Sequence, residues 1–124
     1  TTSFSLPRTI SASGKALLSA RSPEAVASYV EETTLAARTD RTIQTASALR
    51  AELRSVADRG LAFDRGEAFE GVRGVAAPVR AEGEAVAALT VVGPAARLSG
   101  KRLEEDLTGL VLSAAKRVEL TLAE

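Results

Sequence analysis

The sequence predicts an α+β fold, an antiparallel β-sheet flanked by helices. Two observations carry this reading. Two short apolar runs, Gly71-Val-Arg-Gly-Val-Ala-Ala-Pro-Val79 and Ala85-Val-Ala-Ala-Leu-Thr-Val-Val92, flank the charged break Arg80-Ala-Glu-Gly-Glu84, which is the pattern of a β-hairpin. Four other stretches, near 11–20, 23–32, 45–59 and 101–123, carry helical spacing or helix-start signals.

Thr1 to Pro7 lacks periodicity and ends in proline, so it is expected to be a loop or an extended lead-in. Ser11 is a good N-cap for a first helix with Leu17 and Leu18 buried. Gly14-Lys15 does not make a phosphate loop, because Thr9 stands where the first glycine is needed and Ala16 where Ser or Thr is needed. Gly14 is instead read as a close approach of this helix to a neighbouring backbone or a ligand. Ser22-Pro-Glu24 opens a second helix with Val26, Tyr29 and Val30 on its apolar face, so Tyr29 is a core residue with a wet hydroxyl.

Leu35 to Ile43 has no period and reads as an irregular connection pinned by Ile43. Thr45 then caps a third helix with the stripe Ala46, Leu49, Leu53, Val56 and Ala57, and Gly60 ends it as a left-handed cap. Strands are expected near 61–64, 71–79 and 85–92, the first closed by the turn Asp64-Arg-Gly-Glu67. The last helix carries the stripe Leu103, Leu107, Leu110, Val111, Ala114, Val118 and Leu122, long enough to need cover from the sheet, a helix or another subunit. The helices are expected to pack on one side of the sheet, against Leu89 and Val91.

Composition narrows the chemistry. The 124 residues fit a single domain, and with 45% hydrophobic residues but only three Phe and one Tyr the core must be built from Ala, Val and Leu. Cysteine and histidine are absent, which excludes Cys/His zinc sites, disulfides and His-dependent triads; no metal and no cofactor are expected. Sixteen acids balance sixteen interspersed bases, so this chain shows no footprint for nucleic acid. No apolar run approaches the ~20 residues of a membrane span, and a soluble, cytoplasmic protein without a signal peptide is expected. Glu67 and Glu70 are the candidates for acid–base work, but they have no partner constellation and read as solvated turn carboxylates; no catalytic residue and no enzyme is expected.

Strand parity gives a candidate site. Pairing Val79 with Ala85, a register the five-residue break permits, sets Gly74 opposite Thr90 and Val72 opposite Val92 on one face. A strand glycine leaves room for close approach and Thr90 supplies a polar anchor; the competing reading is a bend or bulge at Gly74, with Thr90 chosen for β-propensity.

The order of motifs, Ser11-Ala-Ser-Gly-Lys-Ala-Leu-Leu18, Leu49-Arg-Ala-Glu-Leu53, Asp58-Arg-Gly-Leu-Ala-Phe-Asp64, Gly66-Glu67, Gly71 to Val79 and Ala88-Leu-Thr-Val-Val-Gly-Pro94, resembles the C-terminal effector-binding domain of IclR-family bacterial transcription regulators over nearly the whole chain. The resemblance implies a GAF-like domain that senses a small metabolite and is fused to an N-terminal winged helix-turn-helix DNA-binding domain. The family's winged helix, and the helix and strands that precede its Gly-Lys-Ala helix, have no counterpart here. Residues 1–124 are therefore expected to be a partial effector-binding domain with a sheet short of its first strands and DNA contact only through the absent domain.

The family's pocket positions map onto Asp64, Gly74, Thr90, Val92 and, in the loop before the first helix, Phe4 and Ser5. Gly74 stands where a thiol is common and Val92 where a hydroxyl is common, which implies a larger, less polar ligand; the resemblance itself implies the carboxylate, so the effector is expected to be a carboxylate with an apolar part. Asp64 has a second reading as a turn former ahead of Arg65-Gly66. The alternative function is an interaction module without a ligand, in which the long last helix and the sheet serve dimer or tetramer assembly.

Overall fold

A computed structural model describes residues 11–124. Helix α1 (Ala12–Ser19) starts where the Ser11 hydroxyl accepts the Gly14 N–H at 3.0 Å, and α2 (Pro23–Glu32) starts where Ser22 accepts Ala25 N–H at 3.2 Å with Pro23 in the first turn. Helix α3 (Ala46–Arg59) is capped by Thr45 and ends at Gly60, whose φ of 73° is the left-handed conformation expected of a helix-terminating glycine. Strands β1 (Ala62–Arg65), β2 (Val72–Ala81) and β3 (Glu84–Pro94) form one antiparallel sheet in the order β1-β2-β3. A π-helical turn at Arg102–Asp106 then runs into α4 (Leu107–Leu122).

The expected elements are all present, but three details differ. The hairpin turn is two residues, Glu82 and Gly83, both with positive φ, so β2 and β3 run longer than the charged break implied. Its pairs are Val79 with Ala87 and Gly74 with Val92, with an irregularity between Val79 and Arg80, rather than Val79 with Ala85. The two registers differ by two positions, so each side chain keeps its face.

Helices also lie on both sides of the sheet. Leu61, Phe63, Val75, Ala77 and Val79 pack with Leu89 and Val91 against Leu103, Leu107, Val111 and Ala115 of the last helix. On the other face Ala62, Ala76 and Ala88 meet Ala12 and Ala16 of α1 and Val56 of α3, where small side chains let the helix backbone come close. A third cluster, Leu18, Val30, Leu49 and Leu53, joins the three N-terminal helices and takes in Tyr29 and Ile43 as expected. The stripe of α4 is split: Val111 and Ala115 are buried, whereas Leu110, Val118 and Leu122 face outward. No helix among the described residues is long and apolar enough to cross a membrane.

Candidate functional site

The antiparallel register draws three of the expected site residues into one row. Asp64 of β1 pairs with Gly74 of β2, which pairs with Val92 of β3; Thr90 lies on the next row of the same face, opposite Ala76. This face is the one α1 covers, and the row sits at the N-terminal end of that helix: a Cβ added at Gly74 would lie 3.9 Å from Ala12 Cβ, 3.4 Å from Val92 Cγ2 and 3.2 Å from the Val91 carbonyl oxygen. Any side chain at position 74 therefore competes with whatever occupies the space between β2, β3 and α1. Thr90 is half-buried, and Val92 is 63% exposed on β3, the edge strand among the described residues. Phe4 and Ser5 lie outside the described residues.

Asp64 is buried and forms the turn: its Oδ1 accepts the Gly66 N–H at 3.1 Å and the Glu67 N–H at 2.9 Å. This bears out the turn-former reading, and the register places the same residue at the end of the row.

Glu67 is not the solvated turn carboxylate the sequence suggested. It is buried, and its two oxygens accept from Lys15 Nζ at 2.9 and 3.1 Å, while the Arg65 N–H donates to Oε2 at 3.2 Å. Lys15, with no exposed surface, also donates to the Phe63 carbonyl. Burial raises the Glu67 carboxyl above its ordinary value, and the neighbouring Lys15 ammonium pulls the other way without cancelling that effect. The turn is held from a third side by Thr42, whose hydroxyl donates to the Glu67 carbonyl at 2.6 Å, and by Thr39, whose hydroxyl donates to the Gly66 carbonyl at 2.5 Å. Arg65 then reaches the last helix, bonding Glu104 through Nε and Nη2 at 2.8 and 2.9 Å.

The pair braces the Asp64–Glu67 turn beside the row, through the Arg65 N–H and the Phe63 carbonyl as well as through its own two oxygens. Sequence reasoning missed Lys15, Thr39 and Thr42. Lys15 was detectable in principle: it lies three residues after Ala12 and three before Leu18, so a charge stands on the buried side of α1 and requires a buried partner.

Two cavities lie elsewhere. One of about 550 Å³ separates the C-terminal end of α1 from the hairpin turn, with Leu17, Arg21, Gly83 and Val86 in its walls. The other, about 290 Å³, is a trough between α2 and α3. Neither is lined by Asp64, Gly74, Thr90 or Val92. No cluster of three candidate metal ligands exists among the described residues.

Comparison with known proteins gives the family and agrees with the fold. Residues 4–120 match the family described as bacterial transcriptional regulator IclR C-terminal. The acetate operon repressor of Salmonella typhimurium is 38% identical over 116 residues, a match that takes in 93% of this chain and 42% of the repressor. The chain thus spans less than half the length of that relative. Among solved structures, a double mutant of the inducer-binding domain of the PobR transcription factor from Acinetobacter, in complex with 3-hydroxybenzoic acid, superposes with a TM-score of 0.85 at 26% identity, covering 92% of this chain and 66% of that one. An IclR homologue from Microbacterium hydrocarbonoxydans, complexed with 4-hydroxybenzoate, superposes with a TM-score of 0.83 at 29% identity, covering 95% and 47%.

Proposed function

Because the chain belongs to the IclR C-terminal domain family of bacterial transcriptional regulators, we propose that it is the ligand-sensing part of such a regulator and binds a small carboxylate with an apolar portion on the face that carries Asp64, Gly74, Thr90 and Val92. The observation that carries this reading is the row itself: three strands bring Asp64, the side-chain-free Gly74 and the apolar Val92 into line, with Thr90 on the next row of the same face, at the N-terminal end of α1. Two relatives of the same fold hold hydroxybenzoates, each a carboxylate on an apolar ring. The sensing reading needs no catalysis, and the Lys15–Glu67 pair is accounted for by the turn it braces. Effector binding would shift the balance between arrangements of the DNA-binding domains of the whole cytoplasmic regulator.

Thermal shift against a panel of aromatic and aliphatic carboxylates tests this. A cognate effector raises the melting temperature in proportion to the logarithm of its concentration above the dissociation constant. A flat response to the whole panel by the full-length regulator counts against it.

A second reading rests on α4. Leu110 and Leu122 are 67% and 52% exposed on a helix whose other side is packed on the sheet, which favours self-association to a dimer or tetramer. Sedimentation showing only monomer at high concentration would remove that reading.

A further inference from the structure

We propose that the trough between α2 and α3 docks an acidic amphipathic helix of a partner protein, at a surface separate from the effector row. It is lined by the apolar Pro23, Val26, Leu53 and Ala57 together with Arg21, Arg50 and Arg54. On α3 the residues Arg50, Leu53, Arg54 and Ala57 follow the i, i+3, i+4, i+7 spacing, so the two arginines form a row along one side of the Leu53–Ala57 row. Among the described residues no carboxylate lies within salt-bridge distance of Arg21, Arg50 or Arg54; Glu52, in the same helix, pairs instead with Arg59 at 3.8 Å.

The combination selects the occupant. Nucleic acid would supply negative charge, but a phosphate backbone has no apolar ridge to lay on Val26 and Leu53. A small metabolite is usually enclosed over most of its surface, whereas this trough is open along one side. A helix with leucines at i, i+3, i+4 and i+7 fits such a groove, and Asp or Glu beside the leucines meets the three arginines. None of the effector-row residues lines the trough, so binding here and effector sensing can fail separately.

The test is a fluorescence anisotropy titration of the full chain with two synthetic helical peptides that share one leucine ridge. One carries Glu on its flanks, the other Lys. The Glu peptide is expected to bind, more weakly as salt rises from about 0.1 M to about 1 M and the screening length falls from about 10 Å to about 3 Å. Arg50→Glu/Arg54→Glu, at two exposed positions, is expected to weaken the Glu peptide roughly tenfold or more and to bring on binding of the Lys peptide. An unchanged melting temperature of the variant certifies that it is folded. Absence of Glu-peptide binding, equal binding of both peptides, or indifference to the charge reversal overturns the proposal. Displacement of the Glu peptide by random-sequence duplex DNA, with direct DNA binding lost in the reversed variant, reassigns the trough to nucleic acid and also overturns it.

Discussion

Lys15 and Glu67 form an ion pair inside the protein, with Nζ 2.9 and 3.1 Å from the two carboxylate oxygens and the lysine fully buried. Removing Lys15 leaves the Glu67 carboxyl buried without its counter-ion, at the cost either of an unpaired charge or of taking up a proton. Lys15→Met is therefore expected to lower stability by about 3–5 kcal/mol, measured by urea unfolding. The double variant Lys15→Met/Glu67→Leu should recover part of that loss, because no lone charge remains. A double variant as unstable as the single one would show that the Phe63 carbonyl and the packing, rather than the charge, set the cost.

Acid titration should reveal the same pair. Burial raises the Glu67 carboxyl above 4.5, so the folded state holds this proton more tightly than the unfolded chain does. The stability this group contributes is full below its unfolded value and declines as pH rises through the raised folded value. Glu67→Gln cannot titrate, and its urea midpoint is expected to vary less with pH than the parent's just above the ordinary glutamate value. A variant whose midpoint follows the parent's through that window would remove Glu67 as the titrating group.

Asp64 has a turn role that substitution can separate from any ligand role. Asp64→Ala removes the acceptor of two buried N–H groups, those of Gly66 and Glu67, and is expected to cost about 1–3 kcal/mol. Asp64→Asn keeps an acceptor and most of that stability. Loss of effector affinity in Asp64→Asn at near-parental stability would identify the carboxylate charge as the part the effector reads; unchanged affinity would leave Asp64 with the turn alone.

For the row itself, Thr90→Val is expected to weaken effector binding by about 1 kcal/mol, one neutral hydrogen bond, with little change of shape. Gly74→Leu is expected to abolish binding. Its Cβ would stand 3.2 Å from the Val91 carbonyl, so the strand must give slightly and the melting temperature is the needed control. Calorimetry on the full-length regulator reads both; a folded Gly74→Leu protein that binds like the parent moves the site elsewhere.

The elements were legible because their signals are local. Ser11, Ser22 and Thr45 cap where a capping residue was read, Gly60 ends α3 in the left-handed region, and the two apolar runs are the hairpin. Parity survived an error of two positions in register, which is why Gly74, Thr90 and Val92 share a face although the expected partners were wrong. The register itself depended on Glu82 adopting positive φ, which glutamate seldom signals, so the break read as five residues instead of a two-residue turn. What one stretch of sequence does not display is a contact between distant stretches. Lys15 with Glu67, and Thr39 and Thr42 with the same turn, depend on segments 25 to 52 positions apart.

Those separations bear on folding rate. The hairpin closes through a two-residue turn, whereas the Lys15–Glu67 contact spans 52 positions and waits until α1 and β1 have already met. Interactions that form after the rate-limiting barrier act on the unfolding limb of the kinetics and leave the refolding limb nearly untouched. The clamp on the Asp64–Glu67 turn is thus expected to govern how long the folded state lasts once formed: without the Lys15 ammonium, the chain should refold at its usual speed and come apart sooner.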